Sequence, residues 1–271
     1  MRLLVRTWNL FHGNTQPTGR RAFLEEMVRL ASADEPDVLC LQELPVWSLG
    51  LLDDWSGMTA VADVAQRPML GPFPSTAEIG RRLTDLHHGL FRSAFSGQAN
   101  AILVRPGMSV VEHRQIVLNP RRFRRAQASH LELAPVARLA WSSERRVCQA
   151  VRVRRGDGTL LIGNLHATSY PPDKRVPDAE LLRAAAFVDG LAAPDEPVLL
   201  AGDFNISVRF SQTLADLVGP EWGFTGPTPT GIDHILVRAL AAGPPRRWDD
   251  VRRSRDGKLY SDHAPVEVEV E

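Results

Sequence analysis

Leu199-Leu200-Ala201-Gly202-Asp203-Phe204-Asn205 sets an acid and an amide two residues apart, directly after a short apolar run. Val198 to Ala201 reads as a buried strand, and Gly202 relaxes the backbone where that strand ends. Asp203 can take a proton there and Asn205 can fix the geometry of the transfer, as at a catalytic strand-to-loop edge. Strand-Gly-Asp is also a common turn, so this stretch alone does not separate chemistry from chain reversal. What the rest of the chain holds at other strand ends matters more. Asn9, Glu43, His166, Asp233, Asp262 and His263 all stand at the ends of apolar runs or in short loops beside them.

The elements that must carry these residues are legible in order. Leu3 to Asn9 reads as a first strand ending at Asn9. After a loop over Gly13 to Gly19, Arg20 to Ser32 is amphipathic: Phe23, Met27 and Leu30, with Leu24, Val28 and Ala31, recur at helical spacing. Asp37 to Glu43 is a second strand with Glu43 at its end. Strand, helix and strand in this order form a crossover unit, so Asn9 and Glu43 reach the same sheet edge. Trp47 to Asp54 reads as a short helix and Thr59 to Ala65 as a strand. Ser75-Thr76-Ala77-Glu78 opens a capped helix through Ile79, Leu83 and Leu86. His87-His88 at its end invites a metal reading, but polar residues in a helix's last turn are the commoner explanation.

Further on the pattern turns to β. Ala101 to Arg105, Ser109 to Leu118, Leu131 to Trp141, Arg146 to Arg154 and Thr159 to Leu165 read as strands, with a hairpin turn at Arg155-Gly156-Asp157-Gly158. Arg121-Arg122-Phe123-Arg124-Arg125 falls between strands, either as a phosphate-holding cluster or as a solvated loop. Asp178 to Leu191 and Ser211 to Val218 are helical. Ile232 to Val237 is a strand with Asp233 and Ile235 on one face and His234 and Leu236 on the other; His234 reads as a satisfied core histidine. The alternating Glu and Val of the last strand, Val266 to Val270, suggest one exposed face. The polar strand ends run from residue 9 to 263. They form one site only if residues 1–271 are a single domain.

Lys plus Arg equals Asp plus Glu at 32 each, so the whole molecule is not an electrostatic magnet for nucleic acid, although local clusters remain available. Met1 to Arg6 is too short and too charged for a secretory leader, and no run of about 18 apolar residues suggests a membrane helix. Cys40 and Cys148 both lie in apolar runs. Two cysteines without a leader suggest a reducing, cytoplasmic setting without disulfides.

Taken together, Thr7-Trp8-Asn9, Leu41-Gln42-Glu43, Asn100-Ala101-Ile102-Leu103, Asn164-Leu165-His166, Gly202-Asp203-Phe204-Asn205, Ile232-Asp233-His234-Ile235 and Ser261-Asp262-His263-Ala264-Pro265 resemble the motifs of the endonuclease/exonuclease/phosphatase superfamily, in the family's order and over nearly the full chain. The resemblance implies an α/β four-layer sandwich: two mixed β-sheets packed face to face with helices outside, as in deoxyribonuclease I-like proteins. It implies hydrolysis of phosphodiester bonds with Mg²⁺ or Mn²⁺, with nucleic acid as the substrate and partner. A small-molecule or lipid phosphate is the alternative substrate, and a non-catalytic binding module is the alternative of another class. No obligate protein partner and no membrane association are evident.

Hydrolysis of this kind needs a hard cation, which prefers one or two carboxylates plus water. The resemblance implies Glu43 as the leading ligand, Asp262 as the second carboxylate and Asn9 as an amide contributor. Asp203 would orient or deprotonate water, with Asn205 fixing the geometry. Asp233 would accept the ring proton of His263, and His166 would meet the scissile phosphate or assist the leaving group. Asn100, Arg122 and Arg124 are the substrate-binding candidates. The chain also departs from the family pattern. Phe11 stands where some members carry an acid, Ile162-Gly163-Asn164 lacks the tyrosine of abasic-site enzymes, and the longer inositol-phosphatase motifs are absent. His12, beside Asn9, could reach substrate, but a loop histidine without a role is the simpler reading.

Overall fold

The computed structural model describes residues 2–19, 21–86, 95–169 and 173–271. The His87-His88 pair lies outside the described residues. In chain order the first strands are β1 (Leu3–Asn9), β2 (Thr15–Gln16), β3 (Val38–Leu44), β4 (Thr59–Gln66), β5 (Met69–Leu70), β6 (Phe73–Pro74), β7 (Gln98–Val104) and β8 (Ser109–Val117). The remainder are β9 (Val147–Arg155), β10 (Gly158–His166), β11 (Val198–Asp203), β12 (Asp233–Arg238), β13 (Arg246–Arg247), β14 (Ser254–Arg255), β15 (Lys258–Tyr260) and β16 (Val266–Val270). The helices are α1 (Leu24–Ser32), α2 (Leu52–Ser56), α3 (Ala77–Leu86), α4 (Arg121–His130), α5 (Pro135–Ser142), α6 (Arg175–Asp189) and α7 (Gln212–Leu217).

Two large sheets result. One has six strands in the order β13-β16-β1-β3-β7-β4, the other five in the order β12-β11-β10-β9-β8. Both are mixed: β1 pairs parallel with β3 and antiparallel with β16, and β10 pairs parallel with β11 and antiparallel with β9. Apolar residues on both faces of the central strands require cover on both sides. Val5, Cys40 and Ile102 of the first sheet pack with Val151, Ile162 and Leu199 of the second. Met27, Val28 and Ala31 of α1 cover the outer face of the first sheet through Leu39 and Leu41. Leu181, Ala185 and Val188 of α6 cover the outer face of the second through Val198 and Leu200. This is the four-layer α/β sandwich of the deoxyribonuclease I-like proteins. Cys40 and Cys148 are buried free thiols. Among the described residues, no helix is long and apolar enough to cross a membrane.

Three local expectations are corrected. Leu131 to Trp141 is not a strand: α5 spans Pro135–Ser142 with proline at its start, where a missing N–H costs nothing. Arg121 to Arg125 is not a loop but the first half of α4, built of straight-chain residues that favour helix. Ala128 of α4 and Trp141 of α5 bury against Val176 in a small separate core, which fixes the two helices on the body. The Glu face of the last strand is only partly solvated: Glu269 is half-buried, and Arg6 and Trp248 cover Glu267. Glu267 is 5% exposed and accepts from Arg6 Nε (3.1 Å) and Trp248 Nε1 (2.8 Å).

Candidate active site

The strand register assembles the centre. His166, Asp203 and Asp233 are direct partners across β10, β11 and β12, so three functional side chains stand in one row at the end of the second sheet. Facing them, parallel pairing of β1 with β3 sets Asn9 opposite Gln42 at the end of the first sheet. The β3–β7 ladder shifts register between Leu41 and Leu44. Glu43 sits in that irregularity with φ 55°, a left-handed conformation that re-aims its side chain. Gly202 is required where β11 reaches the site: its φ is 137°, and a Cβ there would lie 1.9 Å from Leu165 O.

Asp203 Oδ2 is the hub. It accepts from Asn9 Nδ2 at 2.9 Å and lies 3.5 Å from His166 Nε2 and 3.8 Å from His263 Nε2. Asp203 Oδ1 accepts the Asn205 main-chain N–H at 3.0 Å. Asn205 spends its side-chain amide on Ala167 O (2.9 Å), tying the loop after His166 to the loop after Asp203. Asn9 Nδ2 also reaches Glu43 Oε1 at 3.2 Å, while its Oδ1 accepts from the Phe11 N–H. Asn9 therefore links carboxylates from both sheets.

His263 comes from the loop before β16, and that loop is pinned. Ser261 Oγ donates to Asn9 O (2.7 Å) and accepts the His263 N–H (3.0 Å). Trp8 Nε1 and Arg253 Nη1 both donate to His263 O. Its Nδ1 lies 2.9 Å from Asp233 Oδ2. Burial opposes a charge on this ring, but the carboxylates of Asp203 and Asp233 outweigh it and hold the pKa up at about 10. His263 is thus an imidazolium at neutral pH. Burial pushes Asp203 up to about 7, against the pull of His263 and the bond from Asn9.

His166 is the opposite case. Burial, then the charge of Arg146, pushes its pKa well below the ordinary histidine value. Arg146 Nη1 lies 2.9 and 3.0 Å from the two ring nitrogens, and Gln98 Nε2 faces Nδ1 at 3.1 Å. A guanidinium has only hydrogens to offer, so His166 must accept and is neutral.

Glu43 retains 19% side-chain exposure, the opening a ligand-accessible carboxylate needs. Burial raises its pKa, and the charge of nearby Asp262, which is exposed, pushes it further the same way. Two mutually repelling oxygen donors at the mouth of a site fit a hard divalent cation. A second donor set is tighter: one atom each of Asp203, Asp233 and His263 lie within 4.8 Å of one another. There the imidazolium already supplies the positive charge between the two carboxylates. A cation there would have to displace that proton.

His12 is buried rather than in an open loop: it is 3% exposed, with Nε2 3.4 Å from Glu43 Oε2. Sequence reasoning misses Arg146 and Gln98 altogether, because an arginine and a glutamine at strand starts carry no local signal. Asn100 is buried between the sheets, with Nδ2 3.4 Å from Val147 O, opposite the bulge that carries Glu43. Arg122 and Arg124 lie on α4. Among the described residues neither bonds to the central cluster, and Arg124 Nη1 donates to Asn119 O. His234 is the satisfied core histidine expected, accepting from Thr228 N–H and facing Ile206 O.

A model of the endonuclease/exonuclease/phosphatase family matches residues 7–263. No curated protein matches in sequence. Among solved structures, the chain is similar to an endonuclease/exonuclease/phosphatase from Bacteroides vulgatus, with TM-score 0.68, 13% identity and coverage of 100% of this chain and 99% of that one. A family protein from Bacteroides thetaiotaomicron is similar at TM-score 0.64 and 18% identity, over 100% and 95% of the two chains. A D. rerio TDP2 humanized by 14 mutations is similar at TM-score 0.62 and 14% identity, over 100% and 99%. At these identities the structural likeness speaks to the fold.

Proposed function

We infer the activity from one premise: the chain belongs to the endonuclease/exonuclease/phosphatase family, whose enzymes are metal-dependent phosphoesterases. We propose that it hydrolyses phosphodiester bonds in nucleic acid, using water and Mg²⁺ or Mn²⁺. The observation that carries this reading is the Asn9–Asp203–His263–Asp233 chain of contacts beside Glu43, which joins both sheets.

In this reading Glu43 and Asp262 would hold the cation, with Asn9 aligning Glu43 against Asp203. Bound there, a divalent ion would neutralise charge on the phosphoryl oxygens. Asp203 takes the proton of the attacking water; a pKa near 7 suits a base working at neutral pH. The water oxygen bonds to phosphorus as the ester bond to the leaving oxygen breaks. His263, held positive by Asp233, stabilises the charge gathering on the phosphoryl group. His166, held neutral with Nδ1 accepting from Arg146 and Gln98, would offer its remaining ring N–H to the same group. Asn205 acts through its backbone, fixing Asp203 Oδ1.

A small-molecule or lipid phosphoester is the second reading, favoured by the even balance of 32 basic and 32 acidic residues. A panel of DNA, RNA, nucleotides and phospholipids, each with Mg²⁺, Mn²⁺ or EDTA, separates them. Metal-dependent cleavage of polynucleotide is expected. Turnover confined to small phosphoesters would transfer the assignment to the second reading, and no turnover of any diester would reject both.

A further inference from the structure

The helices α4 and α5 enclose a cleft of about 410 Å³ lined by Arg121, Arg124, Arg125, Arg138, Trp141 and Ser142. Arg121, Arg124 and Arg125 share one face of α4 by their spacing, and Arg138 approaches from α5. Arg124 is half-buried, and Arg121, Arg125 and Arg138 are exposed around it. Among the described residues none of the four cleft arginines has an acidic partner, and no acid lines the cleft. Four like charges gathered without a counter-charge repel one another unless an anion joins them. Arg124 and Arg138 each donate to a main-chain carbonyl, of Asn119 and Leu133, which steadies the forks and leaves most of their five donors unspent.

The cleft is rooted at the catalytic edge. The segment carrying both helices leaves the sheet at Leu118 and returns at Arg146, where Leu118 N–H donates to Arg146 O at 2.8 Å. Asn119 closes the same neck, accepting Arg146 N–H and donating to Glu144 O. Arg146 is the residue that reaches His166. An anion in the cleft therefore sits on a platform whose base is the neighbour of the catalytic histidine.

We propose that this cleft is an accessory phosphate site, gripping backbone phosphates of a polynucleotide beyond the one that is cleaved. Guanidinium forks match phosphate oxygens in pairs, and a recessed cleft suits a strand better than a flat lipid surface. The inference rests on the nucleic-acid reading above.

The test compares the wild-type chain with R121A/R125A/R138A, which spares Arg124 and the neck. Binding of a labelled single-stranded oligonucleotide is measured by anisotropy in EDTA across a salt series, beside Mn²⁺-dependent hydrolysis of bis(p-nitrophenyl) phosphate, which offers no phosphate beyond the one cleaved. We expect affinity to fall about tenfold or more, with a log–log salt slope shallower by about 0.7 for each phosphate that the cleft no longer neutralises. Hydrolysis of the small diester should fall far less, and the triple lysine variant should recover part of the binding. Oligonucleotide binding and slope equal to wild type would overturn the accessory site and leave the activity standing. A variant that loses binding to anionic phospholipid vesicles instead of oligonucleotide would overturn the nucleic-acid assignment. Wild-type protein that hydrolyses the small diester yet never binds oligonucleotide would do the same, whereas no diester turnover at all would remove the activity on which the site rests.

Discussion

His263 Nδ1 lies 2.9 Å from Asp233 Oδ2, while its Nε2 faces Asp203 Oδ2 at 3.8 Å, so a single imidazole bridges the acids of two adjacent strands. The two acids do different work. In the proposed reaction Asp233 holds the ring's proton and Asp203 takes the proton of water.

That division predicts a pH profile. His263 carries a pKa raised to about 10, so its charge is complete at neutral pH and is lost as pH rises through that value. Asp203, raised to about 7, is an active base only above it and is silenced as pH falls. The rate should therefore rise through about 7 and decline near 10. Asp233→Asn removes one carboxylate that favours the charged ring, and the alkaline limb should come down by about one to three pH units. A titration of the His263 ring by NMR in the same variant checks the cause directly. An alkaline limb that stays in place would detach Asp233 from His263.

Metal binding and proton transfer should separate by mutation. Glu43→Gln is expected to weaken Mn²⁺ binding by calorimetry, with activity partly restored at high Mn²⁺. Asp203→Asn should leave Mn²⁺ affinity close to wild type while lowering the rate by about 10²–10⁴. If instead Asp203→Asn abolishes Mn²⁺ binding and Glu43→Gln does not, the cation belongs to the Asp203–Asp233–His263 set.

The layered fold and the strand-end residues are readable in the chain because they share one cause. A buried strand is mostly apolar along its length, and a polar side chain is least costly at its end. Asn9, His166 and Asp203 stand out for that reason. Glu43 is legible as a strand end, but its aim depends on a register shift that no local pattern reveals. Arg146, Gln98 and His12 are placed by contacts across 20, 68 and 31 residues of chain respectively, and periodicity carries no trace of such distances. The helices α4 and α5 escape sequence reading for another reason. Their apolar residues meet only a small satellite core, so the helical stripe is faint against a run of arginines.

Gly202 tests the coupling of backbone to chemistry. Its left-handed φ and the 1.9 Å approach to Leu165 O leave no room for a methyl group. Gly202→Ala should cost about 3–5 kcal/mol in urea unfolding, since relief requires parting β10 from β11 where His166 faces Asp203. Whatever protein remains folded should lose more activity than Leu200→Val, a change on the same strand that keeps the backbone. Equal losses would mean that the strand end does not control the acid's position.

Arg146 reinforces the neutrality that burial imposes on His166. Its side chain is 4% exposed and ends against both ring nitrogens, and its charge is the second cause, after burial, of the lowered pKa. Arg146→Ala should therefore raise the pKa of His166 while leaving it below the ordinary value, because burial persists. Arg146→Lys keeps a positive charge but loses the planar fork, so it should hold the pKa down while letting the ring reorient. NMR of the ring distinguishes these outcomes. The rate should fall about tenfold in both variants if orientation matters most, and mainly in the alanine variant if charge does. A His166 pKa that is the same in wild type and Arg146→Ala would show that burial alone keeps the ring neutral.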